Sequence, residues 1–425
     1  MTYKIALVCG IVVSILAFPV LFLISLNIFA YDLPGFDDSD LLGVTAGPSS
    51  DEENIHVVFE ELIPRMYYPR GQSTQIEELA RGTNRDEQLE EALLSRNADF
   101  LDLFDRVEFE GVFQDPRLLA YLQTNPYVER EWFVSNIRRM VDISHVAARA
   151  HMREGDIRAA LDRGIRSIQL ASFLLDSELH LIDYLSTQRI KRSGLDLLHD
   201  IIPSLSVTSD EYWYVHDRLD AIESSRRGLI GSLQFEYVFW ANRVDDFADR
   251  DPRALRELGW EDLNSGFEGS ILFPYRYLFQ PNTTKHYYAT LVRRSITDSY
   301  RACREEPVII DVPVRFDVNK KPIRQYVEPN KYGRLLHDVT AVQLDLVPRH
   351  CELELELVFI KTLLALKAYQ DTYHTLPDAL EEMVPEFLHK VPIDILTDQS
   401  LSYSREERIL YSRKDRERHG MQINF

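Results

Sequence analysis

Positive charge is what this sequence is short of. Its 48 Lys and Arg face 68 Asp and Glu, for a net charge of −20. Phosphate backbones and anionic headgroups attract Lys and Arg, so nucleic acid is excluded as an expected partner. The Arg-rich stretches Arg153–Arg166 and Arg189–Arg192 read as solvated helix faces. Cysteine is scarce too, with three in the chain and no Cys-x-x-Cys. Cys9 lies in an apolar N-terminal run, which leaves Cys303 and Cys351 as candidates for a disulfide. Two buried thiols too far apart to bridge are the alternative. The sequence has no G-x-x-x-x-G-K-S/T phosphate loop, H-E-x-x-H zinc pair, G-x-S-x-G nucleophile elbow or EF-hand loop. No catalytic residue, cofactor or metal site is expected, and no small-molecule ligand is evident.

What is present suits a folded chain. Hydrophobic residues make up 45% and charged residues 27% of the 425 positions, close to the averages for globular domains. The length predicts two or three structural units. Ile5–Tyr31 contains no charged residue, and about 20 apolar residues suffice to span a bilayer. Lys4 precedes the run, and Asp32, Asp37, Asp38 and Asp40 follow it. Positive charge stays cytoplasmic, so the N-terminus is expected inside a bacterial inner membrane and the bulk of the chain outside. A cleaved signal peptide is the competing reading, but its apolar region is shorter and Ile28-Phe29-Ala30 is a poor cleavage site.

Beyond the expected anchor (1–31), Gly, Pro and acids at 32–50 read as a flexible linker. Helical periodicity fills most of 51–330. Its clearest block, from about Glu129 to His199, turns at Gly155-Asp156, with Val146, Ala147 and Ala150 before the turn and Ile157, Ala160, Leu161, Ile165 and Ile168 after it. Gly155 supplies the left-handed residue a helix end requires. This resembles one tetratricopeptide hairpin without a second copy, so a bundle is expected, not a solenoid. Val308–Ile310 and Val312–Val314 read as extended. Residues 331–425 are expected to hold a long helix, about Leu335 to His374, with Leu355, Phe359, Leu363 and Leu366 on one face, then a small α+β module. The expected fold class is thus mainly α: a transmembrane helix, a helical bundle and the C-terminal module.

Several constellations have bland readings. His199-Asp200 and His337-Asp338 are adjacent pairs of the kind that bind metal in phosphohydrolases, but neither has further ligands at helical spacing. Glu352, Glu354 and Glu356 read as solvated faces. Trp213, Tyr214, Tyr237, Phe239 and Trp240 read as helix core.

The C-terminal stretch carries a resemblance. Lys367–Pro377, Leu380, Pro385-Glu386-Phe387-Leu388, Val391-Pro392-Ile393-Asp394, Tyr403 and Leu410-Tyr411-Ser412 are similar, in order and spacing, to the module of type II secretion major pseudopilins. Ile395 departs from the family's Pro, and Asp398-Gln399-Ser400 from its Gly-x-Pro. The resemblance would imply a calcium loop near Asp415, but Arg413–Arg416 carries no glycine to let a loop wrap the ion. The whole chain resembles uncharacterised bacterial proteins of planctomycete type with a helical domain before this module. There, Ala148-Arg149-Ala150 through Gly155-Asp156, Pro281–Thr284 and Asn330–Leu336 carry the likeness. The anchor, the linker, the acidic helical surface and the missing catalytic motifs together lead to the expectation of a membrane-tethered envelope protein. Such a protein would bind a protein partner or support a complex, with an extracytoplasmic hydrolase as the alternative. A deep cleft of converging polar groups would favour the enzyme; a broad apolar patch would favour the binding protein.

Overall fold

In the computed structural model of the chain, the described residues are 32–42, 54–111, 113, 131–177, 179, 181–206, 209–222, 226–249, 279–305, 346–414 and 420–425. Among them the helices run α1 (His56–Leu62), α2 (Ser73–Arg81), α3 (Glu87–Arg96), α4 (Ala98–Arg106), α5 (Glu131–Glu154), α6 (Ile157–Leu175), α7 (Leu181–Ile201), α8 (Ser209–Asp220), α9 (Arg227–Ala248), α10 (Pro281–Ser299) and α11 (Leu346–Tyr373). Five short strands come after α11: β1 (Ile393–Asp394), β2 (Gln399–Ser400), β3 (Ser402–Ser404), β4 (Ile409–Tyr411) and β5 (Gly420–Gln422). β1 pairs with β2, while β3, β4 and β5 form an antiparallel sheet with Tyr403 opposite Leu410 and Leu410 opposite Met421.

The mainly helical character with a small C-terminal sheet stands, but the expected fold class needs a correction. Among the described residues no helix is long and apolar enough to cross a membrane. The transmembrane helix, the single-pass signal anchor and the inner-membrane location therefore lose their support. The run Ile5–Tyr31, on which they rest, lies outside the described residues, as do Val308–Val314, Asn330–Leu336, His337-Asp338 and Asp415. The acids read as the outer charge flank have a local explanation.

The described residues fall into two compact units, the first being 32–42, 236–249 and 279–296 and the second the remainder. In the first unit, Asp32 caps α10. Its carboxylate accepts the backbone N–H groups of Asn282 and Thr283 and the Thr283 hydroxyl, each at 2.9 Å. A carboxylate at a helix start satisfies orphan donors, and Pro281 fits the first helical position. Asp40 holds Arg293 through two bonds of 2.6 and 2.9 Å, and Asp38 accepts the Tyr237 hydroxyl. Three of the four flanking acids are thus engaged in contacts of their own, and residues 32–42 of the expected linker are held in place.

In the second unit the hairpin α5–α6 closes as its turn chemistry dictates. Gly155 has φ +83°. Its N–H donates to Met152, and that of Asp156 to His151 at 2.9 Å, the paired bonds of a glycine-ended helix. Asp156 then caps α6 by accepting from the Ala159 N–H. The Arg-rich faces are solvated only in part: Arg153, Arg158 and Arg189 are exposed, while Arg163 grips Asp105 of α4 at 2.7 and 3.1 Å. Arg166 donates to the carbonyls of Phe104 and Val107. Arg149 spans from the Ala80 carbonyl at the end of α2 to Asp200 of α7. These arginines fasten the small helices α2–α4 to the hairpin.

The main core gathers Ile165 and Ile168 of α6, Leu195, Leu198 and Ile201 of α7, Tyr212 and Leu219 of α8, and Leu355, Phe359, Ile360, Leu363, Leu364 and Leu366 of α11. Leu380, Met383, Phe387, Leu401, Leu410 and Ile423 of the C-terminal module belong to the same core. The stripe expected on one face of the long helix is therefore wider than one face. Leu353, Leu357, Ile360, Leu364 and Ala365 are buried as well, which marks a central helix covered on most sides. Within the module Asp394, fully buried, accepts from the Leu396 N–H, the Thr397 and Ser412 hydroxyls and the Arg413 N–H. One buried carboxylate thus joins the β1–β2 turn to the end of β4.

α6 and α7 approach through two glycines. A Cβ at Gly194 would lie 2.8 Å from Ile168 Cγ1, and one at Gly164 2.6 Å from Leu198 Cδ2. Overpacking such a contact costs about 1–3 kcal/mol. Gly194→Leu is therefore expected to lower the unfolding free energy by that amount, read as a lower urea midpoint with an unchanged slope; an unaltered midpoint would show that the two helices do not meet here.

Candidate functional site

The site is built where α7 meets α11. The run Cys351-Glu352-Leu353-Glu354-Leu355-Glu356 alternates every second residue, yet it is helical, so Glu352 and Glu356 share one side and Glu354 another. Arg192 bonds Glu356 at 2.8 Å and lies 3.9 Å from Glu352. Lys191 bonds Glu354 at 2.6 Å while only 2% exposed. These glutamates, expected on solvated faces, instead line a packed seam. Burial raises the Glu356 pKa despite Arg192 beside it. Further along the seam, the Tyr184 hydroxyl lies 3.3 Å from His350 Nδ1, and burial pushes His350 down to about 4.

Cys303 and Cys351 are joined in a disulfide, with Cα atoms 5.6 Å apart and a sequence separation of 48. It ties the segment after α10 to the first turns of α11. Arg226 secures the same junction. Its guanidinium donates to the Ser299 and Arg301 carbonyls and lies 2.7 and 3.3 Å from the two sulfurs. Helix C-terminal carbonyls lack intrahelical donors, and Arg226 supplies one to the end of α10. Burial lowers its pKa, and Tyr184, Glu354 and Asp298 nearby raise it.

Beside this junction opens a cavity of about 670 Å³, within the range of ligand pockets. Leu185, Gln188, Arg189 and Arg192 of α7 form one wall, residues 298–305 another, and Val347–Leu353 of α11 the third, with Leu396 and Lys414 from the module. Five cations thus converge on one cavity with three acids: Asp298, Glu305 and Glu352. Arg192 is engaged with Glu352 and Glu356, and Arg301 lies 3.7 Å from Asp298. Arg189, Arg349 and Lys414 have no ion-pair partner among the described residues. A second cavity, of about 570 Å³, contrasts with it. Arg166 is its one cation, already bonded to two carbonyls, and Glu108, Glu110 and Asp176 line it as well.

Two other groups among the described residues that could do chemistry are occupied structurally. His145 Nε2 lies 2.9 Å from Ser167 Oγ, but that hydroxyl donates to the Arg163 carbonyl at 3.0 Å. Both residues are buried, neither lines the two cavities described, and burial pushes His145 down to about 3. The pair packs a helix interface. Of the His-Asp pair at 199–200, His199 faces the Gln422 carbonyl at 3.2 Å and Asp200 bonds Arg149 at 2.8 Å. Among the described residues no group of His, Cys, Asp and Glu could hold a metal ion. Tyr237 and Phe239 are buried, while Tyr214 is 40% exposed with Arg158 and Arg218 against its ring. Sequence reasoning misses Arg189, Arg349 and Lys414 because they come from three elements with no fixed spacing. Compared with known proteins, the chain matches no family model, no curated protein and no solved structure.

Two measurements test the seam. Lys191→Met leaves Glu354 buried without its partner and should cost about 3–5 kcal/mol. Adding Glu354→Leu should recover much of that loss; an additive double variant would show that the two charges do not interact. His350 is held at about 4 against an ordinary 6.5, so the unfolded chain takes up its proton first. Its share of stability is whole above pH 6.5 and lost as pH falls toward 4. Between pH 7.5 and 4.5 wild type should lose roughly 2 kcal/mol more stability than His350→Gln, read from denaturant unfolding at each pH; parallel losses would mean that His350 titrates normally.

Proposed function

We propose that this chain is a binding protein and not a catalyst, with the cavity between α7, α11 and the Cys303 segment as its recognition site. The observation that supports this most directly is that five cations converge there on three acids, and that Arg189, Arg349 and Lys414 have no ion-pair partner among the described residues, in a chain of net charge −20. Charges left without a protein partner are suited to a partner from outside the chain. The cavity is a cleft of converging polar groups, the form that would also suit the rival hydrolase. Hydrolysis, however, asks for a nucleophile within hydrogen-bond reach of a base, or two carboxylates held at a set separation. Among the described lining residues the nucleophilic sulfurs are joined to each other, and Asp298 and Glu352 face arginines, which leaves Glu305 without a second free carboxylate to work with. The lining thus favours holding a ligand over transforming one.

The test is native mass spectrometry of the chain isolated from its own cells. An adduct of fixed mass is expected, released unchanged on denaturation. It should be lost in Ala302→Trp, which fills the cavity from its exposed rim. Turnover of p-nitrophenyl acetate, p-nitrophenyl phosphate or a peptide mixture, abolished by the same substitution, would overturn the binding reading in favour of a hydrolase.

A further inference from the structure

We infer that the cavity takes a small organic anion carrying two or more oxyanion groups, such as a polycarboxylate or a bisphosphate; this rests on the binding reading above and names its ligand class. Charge sets the number of oxyanion groups. The lining cations outnumber the lining acids by five to three, and the acids Glu352 and Asp298 already face Arg192 and Arg301. Arg189, Arg349 and Lys414, one each from α7, α11 and the C-terminal module, have only Glu305 of the lining acids left to offset them, a surplus of two positive charges for a ligand to answer. A single carboxylate is met in full by one guanidinium through a two-pronged pair of hydrogen bonds. A surplus of two, carried by cations on three separate walls, calls for more than one such group on the same molecule.

Size and the remaining walls set the rest. About 670 Å³ suits a small molecule and not a macromolecular face, which would leave most of the hollow unfilled. Leu185, Val347, Leu353 and Leu396 line the same cavity and offer apolar contact to a carbon skeleton. An inorganic ion would leave that surface bare. The walls are also fixed in advance. The Cys303–Cys351 bridge and the Arg226 bonds hold residues 299–303 against α11, and the Arg192–Glu356 pair holds α7 to the same helix. A ligand therefore meets cations already in position, which lowers the ordering cost of binding.

The experiment is isothermal titration of the full chain with acetate, inorganic phosphate, succinate, citrate and fructose 1,6-bisphosphate. Citrate or the bisphosphate is expected to bind at least tenfold more tightly than acetate, and which of the two wins separates carboxylate from phosphate chemistry. Arg189→Glu and Arg349→Glu, both at exposed positions, should each weaken that binding tenfold or more while leaving the circular dichroism spectrum intact. Lys390→Glu, exposed and outside the cavity, should leave it unchanged. Equal weakening by Lys390→Glu would reduce the effect to diffuse charge and overturn the proposal. So would no binding by any of the five anions. Capture of an octaglutamate peptide alone would replace the small ligand with an acidic protein segment. If the anions fail while the native adduct persists and is lost in Ala302→Trp, the ligand class falls and the binding role stands; if the adduct fails too, both fall.

Discussion

Helix α11 is buried on most of its circumference and yet carries Glu352, Glu354 and Glu356 through its middle. A carboxylate taken from water into a packed seam is strongly destabilising unless a cation meets it with good geometry. That constraint fixes what α7 must be. It has to present Lys191 and Arg192 at one level, which requires it to lie close along α11. It must also keep its own apolar residues, Leu195, Leu198 and Ile201, in the shared core. The glycine contact with α6 lets the helix behind it come near enough to cover the other side. The hairpin turn at Gly155 and the arginine bonds that carry α2–α4 then extend outward from this arrangement.

Legibility tracks the range of the interaction. The α5–α6 turn is readable because its determinants are consecutive: a glycine with left-handed freedom, then an acid that caps the next helix. The long helix and the short strands after it are readable because their patterns are local, and Asp394 closes one of the turns between them. The Glu-Leu alternation of 352–357 misleads because solvent and a cationic neighbour satisfy carboxylates equally well, and only the fold decides between them. Asp32, Asp38 and Asp40 mislead for the same reason. As a charge flank they need only be acidic. As a helix cap, a tyrosine acceptor and an arginine partner they need specific groups 199 to 253 residues away.

The candidate site is the least legible part. Its members come from α7, the segment after α10, α11 and the strand module, and no spacing rule links them. Composition points the other way, since an acidic chain gives little reason to look for a basic hollow. The disulfide is the one sequence feature near the site, and two isolated cysteines state neither their pairing nor what surrounds them.

The distribution of the cations is itself informative. In a chain with 48 Lys and Arg against 68 acids, random placement would leave acids in excess around almost any cation. In the seam and on the hairpin Arg138, Arg149, Arg153, Arg163, Arg166 and Arg192 do have acidic or carbonyl partners. Arg189, Arg349 and Lys414 are the departure, because they share one cavity while the surplus acids lie elsewhere. Like charges gathered in a partly enclosed space repel, and more strongly than on an open surface, because less water screens them. Folding alone offers no return for that repulsion, since each of these residues could be neutral without breaking an ion pair. A bound polyanion would turn the repulsion into attraction, and the arrangement makes physical sense in its presence.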